Sequence, residues 1–380
     1  MIIKILKMTI NLIFYSKKEF KFPKKNKIIF LDEVGSKKIK ENLLDQIDFT
    51  VLHLRYEKVN IPILFLSIFN ILKYGKNFYK ITFIKFVNAS YAFSFIDTSL
   101  HYCDLIKEIP ECKFILIQNG RRQGNELQPF LERLNKSKFK CDYYFVFNKE
   151  YANFMKKHID THFVVGGSVL NNSHPKAKFI KKIDRIQYIS DFHTLESILE
   201  SMPTVDYRKW ELLPTEFSLK VINNFCNRKN LKLEIIGRTY EHNKEIKFYE
   251  QFKIPFTYLK KTKENYSHLS NNAIIAGMSS TLLGESFSRS FRVAFFDIRN
   301  EFFLYNKYKP GFAFPKKTPE FGEFWSSKPD EIKMTKNLEY LYSVNEVQWN
   351  ELVKKWSENI VLYDYKNNKY REILKRENLL

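Results

Sequence analysis

Short apolar runs rich in β-branched and aromatic residues recur along this chain, and each is followed by a stretch of helical character. Lys27–Leu31 (KIIFL), Ser90–Ile96 (SYAFSFI), Lys113–Gln118 (KFILIQ) and Asp142–Phe147 (DYYFVF) have the length of buried strands. Between them, Ile61–Tyr74, Tyr79–Val87, Ser99–Glu108 and Leu127–Asn135 read as helices. That alternation predicts βαβ units and a mainly parallel sheet. It stops near Val164 in VVGGSVLNNSHPK, a cluster of Gly, Asn, Ser and Pro suited to a linker. A second series then begins. Arg185–Ile189, Leu231–Ile236, Phe256–Leu259, Asn272–Ala276 and Phe291–Asp297 read as strands; Glu216–Arg228, Asn243–Phe252 and a segment from Thr281 read as helices. Glu331–Leu380 is helical, polar and rich in Lys and Glu. The expected architecture is α/β, with two domains, 1–172 and 173–345, facing a cleft, and a helical tail at 346–380.

Composition narrows the function classes. With 44% hydrophobic and 28% charged residues the chain supports an ordinary core, which excludes global disorder. The formal net charge is +21, but 50 of the 63 cations are Lys and 13 are Arg. Specific phosphate or base recognition favours Arg forks, so the Lys excess reads partly as compositional bias and no specific nucleic-acid partner is expected. Cys103, Cys112, Cys141 and Cys226 are far apart with no CxxC pair, which points to reduced thiols rather than a disulfide framework or zinc ribbon. The N-terminus MIIKILKMTINLIFY is interrupted by Lys4 and Lys7 and has no small-residue cleavage site, a poor signal peptide. Ile61–Lys73 falls short of the roughly 20 residues that span a bilayer and reads as a buried helix in preference to an interfacial anchor. A cytoplasmic protein is expected, with peripheral contact to the inner face of an anionic membrane, through Lys and aromatic side chains, as a further partner.

In open α/β sheets ligands bind beyond the carboxyl ends of the strands, and four such places carry polar chemistry. Asp97-Thr98-Ser99 follows SYAFSFI; Asp97 is either a helix N-cap or a base at the cleft floor. Gln118-Asn119-Gly120-Arg121-Arg122 follows KFILI, either a solvated surface turn or a site for phosphate or carboxylate. Gly237-Arg238-Thr239-Tyr240-Glu241-His242 follows LKLEII as a modest anion site, in which His242 is more readily a loop residue than a catalyst. Gly277-Met278-Ser279-Ser280-Thr281 opens a helix whose free amides and hydroxyls suit a nucleotide phosphate, with Glu285 placed to meet a ribose; simple capping is the alternative. Asp191 and His193 lie at a further strand end and could form an acid/base pair. A nicotinamide fingerprint, a P-loop and a GxSxG elbow are absent, and His and Cys spacing offers no metal cage.

The segments SFIDTS (Ser94–Ser99), ILIQNGRR (Ile115–Arg122), VGGSVLNN (Val165–Asn172), IIGRTYEHNKEIKFYEQF (Ile235–Phe252) and AGMSSTLLGESFSRSFRVAFF (Ala276–Phe296) together resemble bacterial surface carbohydrate biosynthesis proteins, glycosyltransferases of the GT-B type with two Rossmann-like domains. The resemblance implies donor binding by the second domain and acceptor recognition by the first. Ser279, Ser280 and Thr281 would hold the donor phosphate, Glu285 would contact the sugar-nucleotide, and Arg238 would help neutralise the phosphate, with His242 alongside. Gln118, Asn119 and Arg121 would line the opposing wall, and Asp97 would act as base in an inverting transfer or as nucleophile in a retaining one. Family members often carry an acidic residue where Met278 stands. The implied substrates are a nucleotide-sugar donor, CMP- or UDP-linked, and a carbohydrate or glycolipid acceptor, with no separate cofactor and no metal. Polyol-phosphate transfer, sugar epimerisation and a non-catalytic basic polyanion or membrane-surface binder are the competing readings.

Overall fold

In the computed structural model, residues 14–380 are described except 45–46, 99–101, 103–104, 106, 123–126, 138, 202–203, 263–264 and 303–310. Strands run in chain order as β1 (Lys17–Glu19), β2 (Ile28–Leu31), β3 (Phe49–Leu52), β4 (Lys58–Asn60), β5 (Tyr91–Ser94), β6 (Lys113–Ile117), β7 (Lys140–Val146) and β8 (Asp160–Val165). They continue as β9 (Arg185–Ile189), β10 (Lys232–Ile236), β11 (Thr257–Leu259), β12 (Ala273–Gly277), β13 (Arg292–Phe296) and β14 (Trp325–Ser326). Among the described residues these build two six-stranded sheets, in the orders β3-β2-β5-β6-β7-β8 and β11-β10-β9-β12-β13-β14, with β1 and β4 as a separate pair. Every pairing within both sheets is parallel.

The central strands are mostly apolar because helices cover both faces: IIFL, YAFS, AIIAG and RVAFF are buried along their whole length. In each sheet the chain leaves the first strand in both directions, β2 flanked by β3 and β5, β9 flanked by β10 and β12. The crevice at such a reversal is where α/β sheets bind ligands.

The structure departs from the expected elements at several points. β1, β3, β4, β8 and β14 lie outside the expected strands, and Val164–Val165, read as the start of a linker, close β8. Ser99–Glu108 lies largely outside the described residues. Ile61–Tyr74 is two short helices, Ile61–Ile68 and Ile71–Tyr74, rather than one buried helix. Phe65, Phe69 and Leu72 in it face outward.

The segment after β8 is packed against the tail. Gly167 has φ 81°, and a Cβ there would lie 1.9 Å from the Leu362 carbonyl oxygen, so no other residue fits. Asn172 Nδ2 donates to Asn367 Oδ1 at 2.9 Å, and the Tyr370 hydroxyl donates to the Val146 and Gly167 carbonyls at 2.9 and 2.6 Å. Tyr370 also stacks on Phe145 at 4.3 Å. The helix Asn368–Arg376 thereby closes one face of the first sheet, burying Ile373 and Leu374, while the helices Glu331–Ser343 and Glu346–Ile360 bury Met334, Leu338 and Trp349 against the second.

Candidate active site in the cleft

The reversal between β9 and β12 brings Asp191 and Ser279 together. Asp191 Oδ2 accepts from the Ser279 amide at 2.7 Å and from its hydroxyl at 2.8 Å. Burial alone would raise the Asp191 pKa; Arg299, Arg238 and the two Ser279 bonds outweigh it and hold the carboxyl below the usual aspartate value. Arg299 is itself fixed by the Trp210 carbonyl at 2.9 Å and Glu211 at 3.2 Å, and it reaches Ser279 Oγ at 3.3 Å. The turn that opens the helix Thr281–Ser288 is therefore set from below by a buried carboxylate and a buried guanidinium.

The loop after β10 is built in the same way. At Gly237 a Cβ would fall 2.2 Å from the Tyr258 hydroxyl, which leaves glycine as the residue that fits. Buried Glu245 then accepts from the amides of Arg238 at 2.9 Å and Thr239 at 3.0 Å, from the Tyr258 hydroxyl at 2.7 Å, and from Ser190. With its backbone held, Arg238 extends Nη1 to the Asp191 carbonyl at 2.9 Å and lies 2.9 Å from His193 Nδ1. His193 is in turn 3.6 Å from Glu211. Lys261, just past β11, lies 4.5 Å over the Tyr240 ring. Its pKa is lowered by burial, then by the charges of Arg238 and of Lys38 from the first domain. Lys261 thus lies within reach of two further positive charges, while the nearby carboxylates of Asp191 and Glu245 are engaged by amides and hydroxyls.

The facing loop of the first domain is closed on itself. Asp97 is 0% exposed. Its carboxylate takes the Arg122 guanidinium, the Tyr144 hydroxyl at 2.5 Å and the Asn119 amide at 3.4 Å, and Tyr102 bonds its carbonyl. Asn119 Oδ1 also accepts from Arg122, at 2.7 Å. Gln118 joins the Gly120 carbonyl and the Phe147 amide, both at 2.8 Å. Arg121 reaches the other domain: its amide donates to Thr281 Oγ1 at 3.0 Å, and its guanidinium bonds the Phe312 carbonyl at 3.1 Å over the Phe295 ring. Nearby, Asp297 is buried with Oδ2 unpartnered among the described residues, and burial pushes its pKa up to about 6 against Arg121 and Arg299.

The residues singled out in sequence thus divide. Arg238 and Ser279 share the β9/β12 crevice, and Thr281 meets Arg121 across the cleft. Ser280 is the N-cap of its helix but makes no capping bond with its hydroxyl. His242 opens the helix after the Arg238 loop, its Nδ1 buried between the rings of Tyr240 and Tyr258. Asp97, Gln118, Asn119 and Arg121 are engaged as structural links. Glu285 is likewise committed, accepting from Ser168 at 2.6 Å and Tyr266 at 2.8 Å, with its pKa raised by burial. Met278, where an acidic residue is common in the resembling family, is fully buried in the core. Lys38, Lys261, Glu245 and Arg299 escaped sequence reasoning; Lys261 lay two residues past a strand end and was open to the same rule. Among the described residues no group of three or more His, Cys, Asp or Glu side chains is placed to hold a metal ion.

Comparison with known proteins gives a family and a fold. The model of a family described as "putative O-antigen biosynthesis protein" matches residues 115–378. A putative UDP-N-acetylglucosamine 2-epimerase from Listeria monocytogenes superposes with TM-score 0.54 at 11% identity, over 93% of this chain and 97% of that one. The wall teichoic acid polymerase TagF, in a variant soaked with CDPG, gives TM-score 0.50 at 12% identity over 94% and 89%. A chain of the GtfA/B complex gives 0.46 at 10% identity; 79% of this chain matches, and it spans 60% of that longer one. No curated protein matches the sequence.

Proposed function

This chain belongs to the family of putative O-antigen biosynthesis proteins, and we propose that it is a GT-B glycosyltransferase that moves a sugar from a nucleotide-activated donor to a surface-polysaccharide or glycolipid acceptor. One observation carries this reading: Arg238, past the end of β10, bonds the carbonyl of Asp191, whose carboxylate holds Ser279 just ahead of the helix Thr281–Ser288, so a guanidinium stands beside that turn, and Lys261, just past β11, feels the charges of Arg238 and Lys38. A donor phosphate there meets guanidinium, ammonium and the positive end of the helix Thr281–Ser288. Those groups stabilise the negative charge that develops on the leaving phosphate as the glycosidic bond breaks. His193, 2.9 Å from Arg238 and 3.6 Å from Glu211, borders the same place. Asp97 takes a positioning role in this scheme, holding Arg122 and the acceptor-side loop through bonds that leave its carboxylate no open face. Metal independence belongs to the proposal; undiminished turnover in excess chelator is the outcome it requires.

The test is thermal unfolding at fixed moderate salt with CMP, CDP, UDP, GDP and ADP. A ligand at about 100 times its Kd adds roughly 2.7 kcal/mol, a shift of a few degrees for a chain of this size. One nucleotide is expected to stabilise the wild type more than Arg238→Ala, after which its sugar conjugates are assayed for transfer. No response to any nucleotide or intact sugar donor would overturn the donor-site assignment; conversion of the donor to an epimer without transfer would replace transferase by epimerase.

A further inference from the structure

The first domain carries a surface that water alone does not explain. The helix Ile61–Ile68 (IPILFLSI) buries Ile63, Leu64 and Ser67 against the helix Phe78–Val87. Its one hydroxyl residue therefore faces inward, where Ser67 Oγ bonds the Leu64 carbonyl at 2.7 Å. Phe65 is 65% exposed, and just beyond the helix Phe69 is 88% and Leu72 81% exposed. An ordinary surface helix turns a polar face outward; here the outer face is as apolar as the inner one.

The patch continues onto the neighbouring strand segment. β1 pairs with β4 so that Glu19 registers with Asn60, the N-cap of the same helix, and Asn60 Nδ2 bonds the Lys21 carbonyl at 2.7 Å. Phe20 is 73% exposed, and Phe22, still more than half exposed, stacks on Phe86 at 4.9 Å. Charge along the segments that carry these rings is mainly positive. Residues 14–31 contain six lysines and one glutamate, and residues 58–96 contain five lysines and no carboxylate. Exposed Lys17, Lys18, Lys21 and Lys25 lie in the strand segment, and exposed Lys73 beside Leu72.

We propose that this face docks the protein on an anionic lipid bilayer, with Phe65, Phe69 and Leu72 entering the acyl boundary and the lysines meeting lipid phosphates. A bilayer supplies both requirements at once, hydrocarbon for the rings and fixed negative charge for the ammonium groups. Among the described residues no helix is long and apolar enough to cross a membrane, so the attachment is peripheral. The inference uses no residue of the donor site and stands or falls separately from it.

The test is co-sedimentation of the full chain with vesicles of phosphatidylethanolamine and phosphatidylglycerol, against vesicles of phosphatidylcholine. Binding is expected to require phosphatidylglycerol, to fall steeply with added salt, and to weaken about tenfold or more in the double variant Phe69→Ser/Leu72→Ser. Because both side chains are exposed, that variant should keep the wild-type Tm and its nucleotide response. A second variant, Lys21→Glu/Lys25→Glu, leaves the apolar residues in place and should lose affinity at low salt. The proposal is overturned by absence of vesicle binding, by binding indifferent to phosphatidylglycerol, or by wild-type binding in both variants. It is equally overturned if light scattering shows self-association that Phe69→Ser/Leu72→Ser abolishes while vesicles bind nothing, which would assign the face to a second copy.

Discussion

The loops at the ends of the two sheets are both rich in charge and differ in how it is balanced. In the first domain each buried carboxylate has a guanidinium: Asp97 takes Arg122, and Asp32 accepts from Arg55 Nε at 2.8 Å. In the second, Glu245 and Asp191 are taken by amides and hydroxyls, while Arg238 spends its Nη1 on a carbonyl and an imidazole and Lys261 lies over a ring. Neutral donors satisfy these two carboxylates, so the charge of Asp191 acts on Arg238 through space and not through a direct ion pair. One loop cluster is a closed structural joint; in the other, Arg238 and Lys261 stand outside direct ion pairs among the described residues, which is where the proposed donor phosphate would bind.

The strongest way to break this contrast is Asp97→Ala. Removing one partner of a buried pair leaves Arg122 uncompensated, and the unfolding free energy measured in urea should fall by about 3–5 kcal/mol. Unchanged stability would show that the joint is not closed. Asp297→Asn probes the exception, a buried aspartate with an unpartnered oxygen. Its folded pKa of about 6 exceeds the unfolded value, so the native state holds its proton longer and stability from this group is lost as pH rises from about 4 through about 6. The Asn variant should flatten that slope, on the order of 2–3 kcal/mol across the window in pH-dependent urea titrations.

On the open side, Arg238→Ala should change unfolding by only about 0.5–1 kcal/mol while weakening nucleotide binding by about 1.5–3 kcal/mol, roughly 10- to 100-fold in Kd by calorimetry. Lys261 sharpens the same point through pH. Its folded pKa is depressed, so between that value and about 10.4 the folded state carries fewer protons than the unfolded one. Stability from this group therefore rises with pH across the window while anion affinity falls, and Lys261→Ala should remove both trends. The smallest effect is expected at Glu285→Gln. Because burial raises the Glu285 pKa, its contribution is present at low pH and declines as pH rises through the folded value; the Gln variant should stay within about 1 kcal/mol of wild type near neutrality.

Much of this contrast was not legible in the chain. Apolar runs such as KFILI and AIIAG announce buried parallel strands, and polar residues after them mark loops on the cleft side. The same rule singled out Arg238 and Ser279, which the fold brings to one crevice, and it left Asp97 as cap or base and Glu285 as a ribose contact; Tyr144, Ser168 and Tyr266 meet those two carboxylates from other parts of the fold. DTHFVV, with Asp160 and His162 at the sheet edge, lacks the unbroken apolarity that marks the central strands. Among 50 lysines, neither Lys38 nor Lys261 stands out until the domains face each other.

Periodicity, strand length and loop composition are local properties, and by themselves they determined two α/β series and the strand ends at which ligands collect. Which carboxylates are neutralised, which cations converge and which apolar helix face stays outside depend on partners far away in sequence, as Arg121 and Thr281, 160 residues apart, illustrate. Electrostatic balance and burial are sums over neighbours in space, so only the tertiary structure could decide them.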